Sequence, residues 1–483
     1  MLQQNKAKLV LIIPNSRWFG KRPWLQMPYA ALILTALLKE EFVFHIIDAN
    51  GGNFDDKQCQ DCLREINPDI IMVTGGSVEY HRQVHQTFLI AKATCPMAIT
   101  ILGGVYPTTV PEEAIKDHNI DWLFMYHAEA RINQFLRLLL AKEIEKAKAF
   151  PGIAYRDESG SLVENPPTGY IGQVKTMVQP DYSLVDLRPY LYQETKDYQF
   201  NSGTAPTAFI VTGYGCPYKC SFCASRFISG RVVAYRPLED VLAEIEYLKR
   251  EYQITNLIFL DDALVINRKR TKALLEAFIE RQYNLSWKSI NVSAWHLDDE
   301  LLNLMKKSGC TQLTISVESG SQRVLNEVIF KPLKLEIIPP LVKKCRELGI
   351  DLGANFVIGN PGETWDEIRQ TFRFAEECDF DVAHFHIITP LPRTHLYQIC
   401  KEKGYLPADF SFTDPKFFGF GVGHITTEEF TPFELAVVRA FEWDRINFSS
   451  PERQQRVARL YQTTVEQLTE HRKQTRRKLG VHF

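Results

Sequence analysis

"GCPYKCSFCAS", residues 215–225, sets Cys216, Cys220 and Cys223 in one turn-rich stretch just after the apolar run "TAFIVTG", residues 207–213. Three thiols at that spacing allow three readings: a structural metal site, buried thiols without a role, or a catalytic centre. A closed zinc site takes four ligands, and no fourth stands at suitable spacing. A [4Fe-4S] cluster held by only three cysteines keeps one iron open to a ligand. The fold follows from what surrounds this loop.

Downstream, runs of strand length recur: "NLIFLDD", "WKSINVSA", "TQLTISVES", "LGANFVIGN" and "VAHFHIITP". Helical stretches such as "LEDVLAEIEYLKREY" and "TWDEIRQTFRFAEEC" separate them. Strands alternating with helices pair in parallel, because a parallel connection needs a crossover. Six successive units fit a partial TIM-type (β/α)6 barrel better than a second open sheet, and barrel chemistry sits on the loops after the strands. The cysteine stretch is the first of those loops. An aromatic-rich segment, "DFSFTDPKFFGFGVGH", follows the barrel, and helices then run to the end.

Upstream, "KLVLIIP", "VFHIID", "DIIMVT", "AITILGG" and "DWLFMY" form a second array of five strand-helix units. These predict a flavodoxin-like doubly wound sheet, with ligands at the carboxyl ends of its strands. Four of the five strand ends carry glycine, which lets a backbone approach a ligand closely. "GIAYRDESGSLVENPP" reads as a hairpin and "QPDYSLVDLRPYL" as an extended linker. The expected domains are 1–145, a hairpin and linker over 146–205, the barrel over 206–403, and a loop with helices over 404–483.

Composition excludes several classes. With 483 residues, 45% hydrophobic and 24% charged, the chain is an ordinary globular protein of more than one domain. A formal net charge of -2 gives no basic field for nucleic acid. No apolar run reaches the roughly 18 residues of a membrane span, and the start lacks a secretory cleavage site, so a cytoplasmic location is expected. In a reducing cytosol Cys95, Cys310, Cys345, Cys378 and Cys400 are expected as buried thiols. Cys59 and Cys62 lie on a helix with no further ligand nearby.

The spacing of Cys216, Cys220 and Cys223, with Phe222 before the last, resembles the C-x3-C-x-aromatic-C signature of the radical S-adenosylmethionine (SAM) superfamily. That resemblance implies a [4Fe-4S] cluster whose open iron chelates SAM, an external electron donor such as flavodoxin or ferredoxin, and cleavage to a 5'-deoxyadenosyl radical. It extends to other strand ends. In "FLDDAL", Asp261 or, with a weaker claim, Asp262 would accept a hydrogen bond from the SAM ammonium. In "ISVESGS", Glu318 would meet the ribose or amino group. Ser293 ends the third strand, and in "FVIGNPGET" Ile358 and Gly359 would lie nearest the adenine. For each polar residue a helix cap or turn is the competing reading.

With "IIDAN", "GGVYPTTVPEEA" and "PDYSLVDLRPY", the chain from Lys8 to Leu406 resembles the cobalamin-binding subgroup of that superfamily. Gly75, Ser77, Tyr80, Gly103, Gly104 and Glu129 are the implied cobalamin contacts. The chain departs from the pattern twice. It lacks the Asp-x-His-x-x-Gly motif of other corrinoid proteins, so His81 and His85 are read as helix-surface residues. It also has Tyr126, His127, Ala128 and Glu129 where the subgroup tends to Gly-Glu-Gly-Glu, while Val105 and Tyr106 would crowd the corrin. The implied function is cobalamin-dependent C-methylation of an unactivated carbon in a small-molecule, lipid or pigment-type substrate. The alternative is a radical SAM cyclase, ring-contracting or rearrangement enzyme without need of cobalamin. The aromatic segment from Phe410 to His424 is expected to close the barrel mouth and contact substrate.

Overall fold

Aliphatic and β-branched runs bounded by turn residues give the strands of two parallel sheets. The computed structural model describes residues 6–20, 25, 27–129, 131–167, 177–193, 200, 205–415, 417 and 421–480. The chain divides into two units: Met1–Gln193 with Phe227–Tyr247, and Glu194–Arg226 with Leu248–Phe483.

In the first unit β1 (Lys8–Ile13), β2 (Val43–Asp48), β3 (Ile70–Gly75), β4 (Ile99–Gly104) and β5 (Trp122–Phe124) lie in the order β2-β1-β3-β4-β5, all parallel. This is the flavodoxin-like order, with its switch point between β1 and β3. Leu9 to Ile13 are buried without alternation, as a strand covered on both faces requires. The predicted hairpin, β6 (Ile153–Arg156) and β7 (Leu162–Glu164), extends this sheet antiparallel to β5.

In the second unit β8 (Thr207–Ile210), β9 (Asn256–Phe259), β10 (Ser286–Val292), β11 (Cys310–Glu318), β12 (Asp351–Ile358) and β13 (Val382–Ile387) pair in sequential order, all parallel. Helices intervene, among them Arg268–Glu280, Asp299–Lys307, Ile338–Leu348 and Trp365–Cys378. Phe385 packs on Phe372 of the last of these at 4.8 Å and stacks on Phe356, which fixes the outer face of β12 and β13. Asn355, Val357, His384 and His386 therefore face inward.

The outer edge of β13 ends against helix Pro432–Asn447. Asn447 donates to the Ala383 carbonyl and accepts from its N–H, both at 2.8 Å, and Arg439 donates to the Phe385 carbonyl. Side chains thus satisfy backbone groups that would otherwise be orphaned at a sheet edge. Helices Pro451–Leu460 and Val465–Arg477 follow, and Leu460 packs on Val382. Among the described residues no helix is long and apolar enough to cross a membrane.

Candidate active site

The cysteine loop leaves β8 as a strand-end loop of the barrel and is tied down on three sides. Cys223 N–H donates to the Cys220 carbonyl at 3.2 Å, closing a tight turn. Ser221 donates its N–H to Ile329 at 2.9 Å and accepts from Leu396 N–H at 3.0 Å. Phe222 packs against Ile388, Leu396, Cys400 and Ile425. The three thiols are partly buried. Burial pushes all three up, Cys223 to about 11, and each also feels repulsion from another of the three. Thiols held this way stay protonated at neutral pH unless a metal displaces the proton to solvent.

Asp261 and Asp262 follow β9 and point to different partners, as adjacent residues of an extended chain do. Asp261 is buried, with its oxygens taken by Thr212: the N–H at 3.0 and 3.1 Å and the hydroxyl at 2.6 Å. Burial raises it to about 6. Asp262 accepts from Gly215 N–H at 3.2 Å and the Ser225 hydroxyl at 3.1 Å, the two ends of the cysteine stretch. Its charge reaches Cys216 and Cys223. Geometry thus sets Asp262 beside the thiols and ties Asp261 to Thr212.

Glu318 closes β11 with a left-handed backbone, φ 72°, and is 6% exposed. Its Oε1 sits 3.1 Å from Nζ of Lys331, itself 7% exposed. Burial opposes the lysine's charge, but Glu318 and the thiolates of Cys220 and Cys223 outweigh it and hold its pKa above the ordinary value. The ammonium also lies 5.5 Å from the Trp295 ring centre, and Trp295 Nε1 donates to the Tyr218 hydroxyl at 2.9 Å. Lys331 arrives there by irregular backbone. Val324–Ile329 winds as a π-helix, Phe330 turns left-handed at φ 60°, and Lys331 N–H bonds back to the Leu325 carbonyl at 2.8 Å. π-helical turns are rare and concentrate at functional sites. Sequence reading passed over Lys331; a lysine inside the apolar stretch "VIFKPL" was the available signal.

The remaining barrel residues are placed as follows. Ser293 lies just past β10 and makes no capping hydrogen bond to the short turn after it. Ile358 is fully buried on the same face as Phe356, away from the interior, and Gly359 follows at φ 85°. The turn is held by Glu363, which accepts from Gly359 and Asn360 N–H groups at 2.8 and 3.0 Å, while its other oxygen is buried without a partner. Burial lifts this carboxyl to about 7. In the aromatic segment Phe410, Phe412 and Phe417 interlock at 5.2 to 5.6 Å with Tyr397 and His424 alongside. These three rings pack on each other; Phe418 and Phe420 lie outside the described residues.

In the first unit Gly75 and Gly104 stand opposite one another in register. Gly104 has φ 111°, and a side chain there would begin 2.5 Å from the Gly75 carbonyl, so only glycine fits. A side chain at Gly76 would meet nothing within 4 Å, and Gly103 is nearly as open, its nearest neighbour being the Phe124 carbonyl at 3.7 Å. Ser77 caps the turn that carries Tyr80, accepting from Glu79 N–H at 3.1 Å. Gly76 and Tyr80 line a cavity of about 230 Å³ with Ser16, Asn50, Gln83 and Tyr190. Glu129 is largely buried, 3.7 Å from Nδ1 of His127, whose pKa burial lowers to about 4. Tyr106 is turned away from the strand end. It is fully buried and bonded to His85 Nε2 at 3.0 Å, while His85 Nδ1 meets Asp117 at 2.8 Å. Tyr106 therefore does not crowd the loop, and His85 is no free surface histidine.

Among the described residues no three His, Cys, Asp or Glu side chains are placed to hold a single metal ion. Three mutually repelling thiols beside a buried lysine suit instead an anionic cluster with one thiolate on each of three irons. Residues 210–375 match the family model described as the radical SAM superfamily. The chain is 28% identical over 378 residues to cytidylyl-2-hydroxyethylphosphonate methyltransferase of Streptomyces wedmorensis, covering 72% of this chain and 70% of that one. It is 25% identical over 388 residues to the anaerobic magnesium-protoporphyrin IX monomethyl ester cyclase of Rubrivivax gelatinosus, covering 80% and 67%. The solved structure of OxsB, a cobalamin-dependent SAM radical enzyme with aqua-cobalamin and SAM bound, superposes with a TM-score of 0.72 at 17% identity, over 97% of this chain and 72% of that one. The segment that matches the radical SAM superfamily, residues 210–375, is the part of the barrel whose first strand-end loop carries Cys216, Cys220 and Cys223.

Proposed function

We propose that this protein is a cobalamin-dependent radical SAM methyltransferase that acts on an unactivated carbon of a small molecule. One observation carries the reading: the three-thiol loop is held against the buried Lys331–Glu318 pair, in a chain similar to a methyltransferase over 72% of its length. Cys216, Cys220 and Cys223 would hold the [4Fe-4S] cluster, which supplies the electron that cleaves SAM. Lys331 offsets the negative charge gathered there. Asp262 keeps both ends of the cysteine loop in place, and Glu318 would meet the amino or ribose end of SAM. In the first unit Gly76, Gly103 and Gly104 leave bare backbone at the strand ends where cobalamin would rest. The cavity beside Tyr80 is sized for part of such a ligand, since whole cofactor sites run to about 300–1,000 Å³.

The test supplies SAM with a trideuterated methyl group, reductant and cobalamin to the anaerobic protein with candidate substrates. A methyltransferase yields product with the intact trideuterated methyl, and 5'-deoxyadenosine and S-adenosylhomocysteine in equal amounts. The similarity to the cyclase favours a second reading, ring formation by the same radical. Deoxyadenosine without S-adenosylhomocysteine, from protein that binds no cobalamin, would select it.

A further inference from the structure

The barrel interior carries a polar row that the cluster chemistry does not use. Neighbouring strands align Ser316 with Asn355 and Asn355 with His384, and the Ser316 hydroxyl donates to Asn291 Oδ1 at 3.3 Å. His386 lies two residues on, its ring 6.3 Å from that of His384 and within 22° of parallel. Asn355 Oδ1 and the Thr314 hydroxyl are buried without a hydrogen-bond partner. An amide turned over at Asn355 would present its N–H₂ instead.

Arg439 enters from the helix that covers β13, fixed through Nε on the Phe385 carbonyl. Its charge acts on both imidazoles. The charged and titratable groups that act on Arg439 are Arg472 and Tyr461, and Arg472 already pairs with Asp444. Tyr461 also reaches His384 Nδ1 at 3.4 Å. Among the described residues no carboxylate forms an ion pair with Arg439. A partly buried guanidinium facing two imidazoles and no counter-charge is unfavourable until an anion arrives.

We propose that the barrel interior binds an oxyanion of the substrate, a carboxylate or a phosphoryl group, on Arg439, His384 and His386. The proposal rests on the reading that the barrel interior receives the substrate. In the free protein burial first, then His386 and Arg439, hold His384 at about 3, and burial with Arg439 holds His386 at about 4, so both are neutral. An anion beside them reverses that sign and favours the imidazolium. Binding then takes up protons, and each proton makes affinity about tenfold tighter per unit fall in pH.

The experiment titrates the cluster-loaded protein with inorganic phosphate and, separately, with acetate, by calorimetry from pH 6 to 8 in buffers of different ionisation enthalpy. The expected result is binding of one of the two with proton uptake, weakened at least tenfold in Arg439→Met and largely restored in Arg439→Lys. Tighter phosphate binding assigns a phosphoryl group, and tighter acetate binding a carboxylate. His384→Phe with His386→Phe should bind without proton uptake. Absence of binding by both anions, or binding that Arg439→Met leaves unchanged, overturns the proposal. No SAM is present in the titration, so deoxyadenosine formation by the wild-type protein tests the radical SAM reading separately.

Discussion

Replacing Lys331 by methionine leaves the Glu318 carboxylate buried and unpaired, with its backbone still in the left-handed region. At 3.1 Å the pair's direct attraction is about 5 kcal/mol at an effective dielectric of about 20. Desolvation of both groups offsets much of this, and loss of one partner of a buried pair costs about 3–5 kcal/mol. For a unit of this size each kcal/mol moves the melting temperature by about 2–4 °C, so Lys331→Met should melt roughly 6–20 °C lower. Trp295, 5.5 Å from the ammonium, gives a local fluorescence signal for that transition. The double variant Lys331→Met/Glu318→Gln removes both charges and should recover most of the loss. Glu318→Gln alone should be tolerated better with the cluster bound than without it, because thiolates then partner the lysine. A Lys331→Met protein melting within a degree or two of wild type, or a double variant melting no higher than the single, would refute this account of the pair.

Alanine at Cys216, Cys220 and Cys223 together should abolish iron uptake on anaerobic reconstitution, read by iron and sulfide analysis; a full cluster in that variant removes the assignment. Asp262→Ala takes the acceptor from Gly215 and Ser225 at the two ends of the loop and should lower reconstituted iron severalfold, whereas Asp262→Asn keeps an acceptor and should lose less. Glu363 has a folded pKa raised to about 7, above its unfolded value, so its protonated form favours the fold. Its contribution therefore falls as pH rises from about 4.5 through 7 and is flat above, a loss of about 3 kcal/mol that Glu363→Gln should not show in melts at pH 5 and 8. Asn447→Leu orphans the Ala383 N–H and carbonyl, should cost about 2–4 kcal/mol, and should speed hydrogen exchange at Ala383 first.

Both sheets were legible because strand-length apolar runs bounded by turns repeat with helices between them, and that rhythm needs no knowledge of tertiary contacts. The cysteine loop was legible for the same reason, since its partners are local in sequence. The two aspartates were not separable: period-two alternation sends them to opposite sides, and sequence does not say which side faces the thiols. Ile358 shares the parity of Phe356, so its side chain turns to the helices and only its backbone is left to face a ligand at the strand end. Tyr106, in the short helix after β4, meets His85 on helix His81–Thr94, which packs on β3, a tertiary contact that spacing along the chain does not encode. His384 and His386 did carry a signal, an H-x-H pair within one strand, which places both on one face.

The π-helical turn before Lys331 acts as a phase adjuster. A helical residue turns the chain by roughly a quarter of a circle, so one residue more or less in Val324–Ile329 re-aims everything after it. Deleting Asn326 would shorten this winding by one residue and swing the ammonium off Glu318 while leaving the three cysteines themselves unchanged. The length of this segment, rather than its composition, is what aims the charge. Substitutions at its exposed positions should therefore be tolerated where a single-residue deletion is not.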